Sequence, residues 1–260
     1  MNREIKKLFR DNTITFVLFD MDRTLVDTHT YFQEEMTNSI LHTVSKIFPT
    51  KPLKKQLKIT KEIVDIANKI YEQQKYPILV DTLSKLALSQ YIKENKVKIN
   101  KKEVYKVLKS SYKEFYLTSP QPFPYTIGAI HKIKSFNIPI GVYSHAQNEW
   151  TRIKVDRIRN EYLKRYGEGI KIPFFTTDIT DLKDKEGWIK AGKYHKINPK
   201  RTLVVGDSLT ADIYAAIDAG YKYAVYLTHT NKYVEVEQRA HAKIFVTKNL
   251  STVFNQHSFL

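Results

Sequence analysis

The chain has 260 residues, enough for one large domain or a core with a smaller insert, and 42% of them are hydrophobic, so a packed core is expected. It contains no cysteine, which excludes disulfides and thiolate chemistry and would leave a zinc site to His and carboxylates alone. The formal net charge is +16, but lysine is spread along the whole chain with no Arg-rich tract and no recognisable nucleic-acid module, which favours a generally basic surface over a polyanion partner.

The N-terminal stretch MNREIKKLFRDNT lacks the apolar run of a signal peptide. No window of about 18 apolar residues is present to span a membrane. Together these lead to the expectation of a cytoplasmic protein. The opening residues read as a short helix, and ITFVLF (14–19), β-branched and aromatic without charge, reads as a strand buried on both faces.

From 28 to 118 the pattern becomes helical. Phe32, Met36, Ile40, Val44 and Ile47 recur at helical spacing. A second helix from about Pro52 to Gln74 turns Leu53, Leu57, Val64, Ala67 and Tyr71 inward, and a third after Pro77 uses Leu79, Leu83, Leu86 and Tyr91. A fourth begins at the N-cap candidate Asn100, with Glu103 three residues on, and carries Val104, Leu108 and Phe115; Tyr71 and Tyr112 read as core of this insert. SPQPFP (119–124) breaks the pattern as a linker.

Strands and helices alternate after it. IPIGVYS (138–144), IPFFTT (172–177), TLVVGD (202–207), YAVYLT and KIFVT read as strands. Residues 147–165, GWIKAGKYHKI and TADIYAAIDAG read as helices, the last stopped by Gly220. The expected fold class is α/β: a Rossmann-like parallel-sheet core, residues 1–27 and 119–260, with an all-helical cap, residues 28–118, inserted after the first strand.

In such a sheet, ligands bind beyond the carboxyl ends of the strands. The first strand ends in Asp20 and Asp22, the second in Ser144-His145, and the fourth in Gly206-Asp207-Ser208 with Asp212 five residues past Asp207. Adjacent strands would gather these carboxylates into one cluster, tolerable only around a cation. Oxygen-only ligation favours Mg²⁺ over Zn²⁺. His195, His229, His241 and His257 show no metal-ligand spacing.

The combination of DMDRT (20–24), YS (143–144) and GDSLTAD (206–212) resembles the motifs of the haloacid dehalogenase superfamily, and the helical insert falls where that family carries a helical cap. The resemblance implies a Mg²⁺-dependent phosphohydrolase working through an aspartyl-phosphate. In it Asp20 would be the nucleophile and Asp22 the general acid and then base. Mg²⁺ would be held by Asp20, the Asp22 main-chain carbonyl and Asp207, with Asp212 behind them. Ser144 would bind the phosphoryl group, with Thr24 bracing the loop beside it and His145 at the lining. Family members that attack carbon–halogen bonds lack the acid, so Asp22 disfavours dehalogenation.

Two positions depart from the family pattern. Position 23 is Arg where Gly is usual, its side chain expected in solvent. The usual Lys-Pro of the third motif is absent. Lys183 and Lys185 both fall in the right loop as the phosphate-binding lysine, and counting back from Gly206 favours Lys183. The expected substrate is a small phosphorylated metabolite. A phosphotransferase or mutase on the same core is the alternative, as is a polynucleotide-end phosphatase or nucleic-acid-binding protein that uses the basic surface.

Overall fold

The computed structural model describes residues 2–73, 80–177, 182–231, 234–237, 239 and 241–254; Pro77, Leu79 and His257 lie outside them. Helix α1 (Arg3–Arg10) is capped by Asn2, whose side-chain oxygen accepts from Glu4 N at 3.0 Å, and it buries Ile5 and Phe9. Strand β1 (Phe16–Phe19) is buried throughout, as an uncharged β-branched and aromatic segment covered on both faces must be.

The chain then forms α2 (Thr28–Ile47), α3 (Leu53–Gln73), α4 (Val80–Glu94) and α5 (Lys101–Thr118). Residues His29–Pro120 make one compact unit, and Met1–Thr28 with Gln121–Leu260 make the other. Within the helical unit α2 buries Met36, Ile40 and Val44 at the expected spacing. Helix α3 presents a face that matches the expected one only in part, at Ala67 and the half-buried Val64. Its buried positions are Gln56, Thr60, Ile63 and Ala67, while Leu53 is 63% exposed and Leu57 and Tyr71 lie on the outside.

The reason is the turn before it. Gln56 donates to the carbonyls of Phe48 (3.1 Å) and Lys51 (2.9 Å) and accepts from Ser45 Oγ (3.0 Å). This satisfies main-chain groups left open where α2 ends. A glutamine drawn inward for that purpose turns its neighbour Leu57 outward in a helix of 3.6 residues per turn. Leu86 is likewise exposed rather than buried, whereas Leu83, Ala87, Leu88 and Tyr91 form the inner face of α4. Tyr112 on α5 is completely buried and its hydroxyl lies 2.5 Å from Ser84 Oγ, which ties α5 to α4.

In the other unit, α6 (Thr126–Lys134) precedes β2 (Ile140–Ser144); α7 (Asn148–Tyr166) leads to β3 (Phe174–Thr176); α8 (Lys185–His195) leads to β4 (Thr202–Gly206). A π-helical turn, Leu209–Tyr214, runs into α9 (Ala215–Asp218), and β5 (Tyr223–Leu227), β6 (Lys243–Thr247) and α10 (Leu250–Phe254) complete the order. Among the described residues the sheet has six strands, all parallel, in the order β3-β2-β1-β4-β5-β6. Alternate residues feed two cores. Val17, Phe19, Val142 and Val205 pack with α1, α6, α7 and α10; Phe16, Leu18, Tyr143 and Val204 pack with Trp188 and Tyr221.

Strand β1 lies between β2 and β4, with Phe19 level with both Val142 and Val205. Connections leave its two sides in opposite senses, and such a switch point opens a crevice at the carboxyl ends of the strands. The chain crosses to and from the helical unit at one place. Val26 pairs with Pro122, and Asp27 N donates to Gln121 O at 3.0 Å. No described helix is long and apolar enough to cross a membrane.

Candidate active site

Asp20 N donates to Val205 O at 2.8 Å, which carries the β1–β4 pairing one residue past β1 and fixes Asp20 at the strand end. The chain then folds into a tight loop. Leu25 N and Val26 N both donate to Met21 O, Arg23 N donates to Val26 O at 2.8 Å, and Asp22 pairs with Val26. Arg23 adopts φ 61°, a left-handed conformation that favours glycine.

Asp207 follows the last residue of β4, and Asp212 is presented by the π-helical turn. The Asp212 carboxylate accepts from Ser208 N at 2.9 Å. It packs so tightly on β4 that a Cβ on Gly206 would sit 2.5 Å from the Asp212 carboxyl carbon. That is the physical reason for glycine before Asp207. One oxygen each from Asp20, Asp207 and Asp212 falls within a common 4.8 Å.

Lys183 reaches this cluster from the loop before α8. Its buried Nζ pairs with Asp20 Oδ1 and with Asp212 Oδ1 at 2.6 Å, and it lies 5.0 Å from the ring centre of Tyr143 and 5.4 Å from that of Trp188. The loop is fixed by Asp184, which caps α8 by accepting from Gly187 N at 3.0 Å. Lys185 does not join it. As the first residue of α8 it stands exposed, and it has no carboxylate partner of the cluster among the described residues.

Ser144, the last residue of β2, is completely buried, and its Oγ has no hydrogen-bond partner among the described residues. A buried hydroxyl left open at a strand end is suited to a ligand. Thr24 is also fully buried within the Asp20–Val26 loop, and His145 is half-buried beside Ser144. His195 stands apart, with Nε2 3.1 Å from Val142 O.

Two further cations face the cluster. Arg23 does not extend into solvent: although 46% exposed, it turns back to place Nε 3.2 Å from Asp207 Oδ2. Lys154 of α7 places Nζ 2.5 Å from Asp22 Oδ1. Sequence reasoning missed Lys154. The signal was present, because Trp150, Lys154, Ile158 and Tyr162 recur every four residues and all are buried. A lysine inside such an apolar stripe needs a buried partner.

The electrostatics follow from this crowding. Burial pushes Asp20 well above the usual carboxylate range, opposed by Lys183 and reinforced by Asp212, Asp207 and Asp22. Burial, together with Asp212, pushes Asp207 up to about 7 against the pull of Arg23 and Lys183. Burial alone would lower Lys183, but Asp20 and Asp212 outweigh it and hold the amine above its ordinary value. Asp20 and Asp207, raised first by burial and then by neighbouring carboxylates, are short of positive charge, and the three carboxylates that converge offer only hard oxygen donors. This donor set fits a divalent cation of the Mg²⁺ type.

A family model described as haloacid dehalogenase-like hydrolase matches residues 14–220. No curated protein matches the chain by sequence. Among solved structures, a Thermotoga maritima protein provisionally assigned as a β-phosphoglucomutase is 16% identical, with a TM-score of 0.62 over 92% of this chain and 98% of that one. A 2-haloacid dehalogenase from Pseudomonas syringae is 18% identical, with a TM-score of 0.58 over 92% and 96%. A phosphatase of the same superfamily from Thermococcus onnurineus is 15% identical, with a TM-score of 0.50 over 92% and 96%. At these identities the likeness is one of fold.

Proposed function

The chain belongs to the haloacid dehalogenase-like hydrolases, and we propose that within them it is a Mg²⁺-dependent phosphohydrolase of a small phosphorylated metabolite. The observation that carries this reading is the convergence of Asp20, Asp207 and Asp212 around Lys183, with the partly exposed Asp22 two residues from Asp20. Displacing a halide from carbon needs neither a proton donor nor a cation, because the leaving group is already a stable anion. Expelling an alkoxide from phosphorus needs both.

Asp20 attacks phosphorus while the bond to the leaving oxygen breaks, and Asp22 supplies the proton that oxygen takes up. Water then attacks the aspartyl-phosphate, Asp22 accepts its proton, and phosphate departs from Asp20. Lys183 and the Ser144 hydroxyl balance charge on the phosphoryl oxygens. Mg²⁺ would be held by Asp20, Asp207 and the Asp22 carbonyl, with Asp212 behind them, and would neutralise the anion that the nucleophile must approach.

The test is a panel of phosphorylated metabolites assayed for phosphate release with Mg²⁺ and with EDTA, for wild type and Asp20→Asn. Release from a small phosphomonoester is expected, abolished by EDTA and by the substitution. Turnover in chelator, or near-normal release by Asp20→Asn, would sink the reading. The +16 charge should steer a small anion with only modest salt dependence. Tight binding of a 20-mer oligonucleotide that collapses between 50 and 200 mM salt, about 10³-fold or more for six contacts, would point to a polynucleotide instead.

A further inference from the structure

Lys154 is almost fully buried on the inner stripe of α7, between Trp150 and Ile158, where an apolar side chain would pack without the cost of burying charge. Its Nζ nevertheless reaches Asp22 Oδ1 at 2.5 Å, with the lysine side chain 3% exposed and the aspartate 32% exposed. Asp22 itself sits on a loop whose backbone is fixed by its pairing with Val26. The backbone therefore sets where Asp22 starts, and Lys154 sets where its carboxylate ends. We propose that Lys154 is a positioning residue that holds Oδ1 of Asp22 and so assigns proton transfer to Oδ2.

The proposal rests on the phosphohydrolase reading and deepens it. When Asp22 carries a proton, the proton is on Oδ2 and Oδ1 remains a carbonyl-type oxygen that accepts from Lys154. Oδ2 gives its proton to the leaving oxygen as the phosphorus–oxygen bond breaks. When water attacks the aspartyl-phosphate, Oδ2 takes a proton back and Oδ1 still accepts from Lys154. One anchor serves both halves of the reaction, because the oxygen that changes state is never the one that is held. Lys154 does not touch the phosphoryl group in this scheme; it acts through Asp22.

That distinction gives the test. A p-nitrophenolate leaves without being protonated, whereas an alkoxide does not. Lys154→Met should lower kcat/KM about 100-fold for the most active alkyl phosphate of the panel, the scale of a misplaced catalytic group. For p-nitrophenyl phosphate the loss should be at least tenfold smaller. Inhibition by inorganic phosphate and the calorimetric affinity for Mg²⁺ should not change. In an Asp22→Asn background Lys154→Met should have no further effect on the alkyl ester.

Equal losses on the two esters would overturn the proposal and leave Lys154 a structural residue. Weakened phosphate inhibition would overturn it by making Lys154 a phosphate ligand. If circular dichroism shows Lys154→Met unfolded, Lys154→Leu, which likewise lacks a donor, is read by the same comparison. If wild type with Mg²⁺ hydrolyses neither ester, the phosphohydrolase reading fails and takes the proposal with it. Losses that are equal in a competent enzyme remove the proposal alone.

Discussion

Arg23 curls over Asp207, its Nε 3.2 Å from Oδ2, from a backbone held at φ 61°. Asp20 and Asp212 share the buried Lys183, so Asp207 is the carboxylate of the cluster whose partner is half in solvent and can leave. A divalent ion that binds Asp207 has to displace that guanidinium.

Arg23→Gln should therefore tighten Mg²⁺ binding. An exposed ion pair is worth up to about 1 kcal/mol, so the gain by isothermal calorimetry should be about 2- to 5-fold. Arg23→Gly should give the same gain and also release the left-handed strain, adding about 1 kcal/mol of stability and a few degrees of Tm. Unchanged or weaker Mg²⁺ binding in both variants would refute the competition.

Asp207 makes metal-free stability depend on pH. Its carboxyl titrates near 3.8 when unperturbed and about 7 in the fold. The folded state therefore holds the proton more tightly, so this contribution is fully present below about 4 and is lost as pH rises through about 7. Asp207→Asn should stabilise the metal-free protein more at pH 8 than at pH 5. Mg²⁺, which competes with the proton, should raise the wild-type Tm more at pH 8 than at pH 5. Thermal denaturation at both pH values, with and without Mg²⁺, checks both signs.

Gly206→Ala tests the packing behind the acidic cluster. The new Cβ would lie 2.5 Å from the Asp212 carboxyl carbon, so either Asp212 moves or β4 does. Overpacking of this kind costs about 1–3 kcal/mol. Urea denaturation should show that loss, together with weakened Mg²⁺ binding. Wild-type Mg²⁺ affinity in this variant would mean that Asp212 is not needed where it stands.

Lys183→Met leaves Asp20 and Asp212 buried without their shared cation. Breaking a buried pair in this way costs about 3–5 kcal/mol. The loss should shrink as pH falls, because burial, which already raises Asp20, favours its neutral form. Saturating Mg²⁺ should recover part of it. A variant as stable as wild type in EDTA at pH 8 would contradict the assigned pairing.

The strands at the site were legible because each ends in the same way: an uncharged buried run stops abruptly at a carboxylate or hydroxyl, as Phe19 gives way to Asp20 and Tyr143 to Ser144. Local pattern could read that. It could not read partners supplied by tertiary structure. Gln56 faces inward to serve carbonyls at the end of α2, which left Leu53, Leu57 and Tyr71 outside although Ala67 is buried as expected. Lys154 belongs to an apolar stripe and finds Asp22, far away in sequence. Lys183 and Lys185 are two residues apart in the same loop, and only the helix start at Lys185 separates a buried amine from an exposed one. Helix α6, missed in the sequence, follows a Pro-rich stretch that reads as linker, and Thr126 at its start donates to Leu25 O at 2.7 Å.

The crossing at Val26 and Pro122 gives the molecule a socket. Both ends of the excursion meet at one pair of residues, so the ring of chain beyond them is closed whatever its length. Doubling such a ring costs only about 0.6 kcal/mol in closure entropy. Closure entropy thus sets little limit on the length of chain inserted there. The rim of the socket is another matter. Val26 also pairs with Asp22, so a substitution at the crossing is felt in the backbone of Asp22. Substitutions at the two points where the insert is fastened should therefore be felt on the sheet side as well.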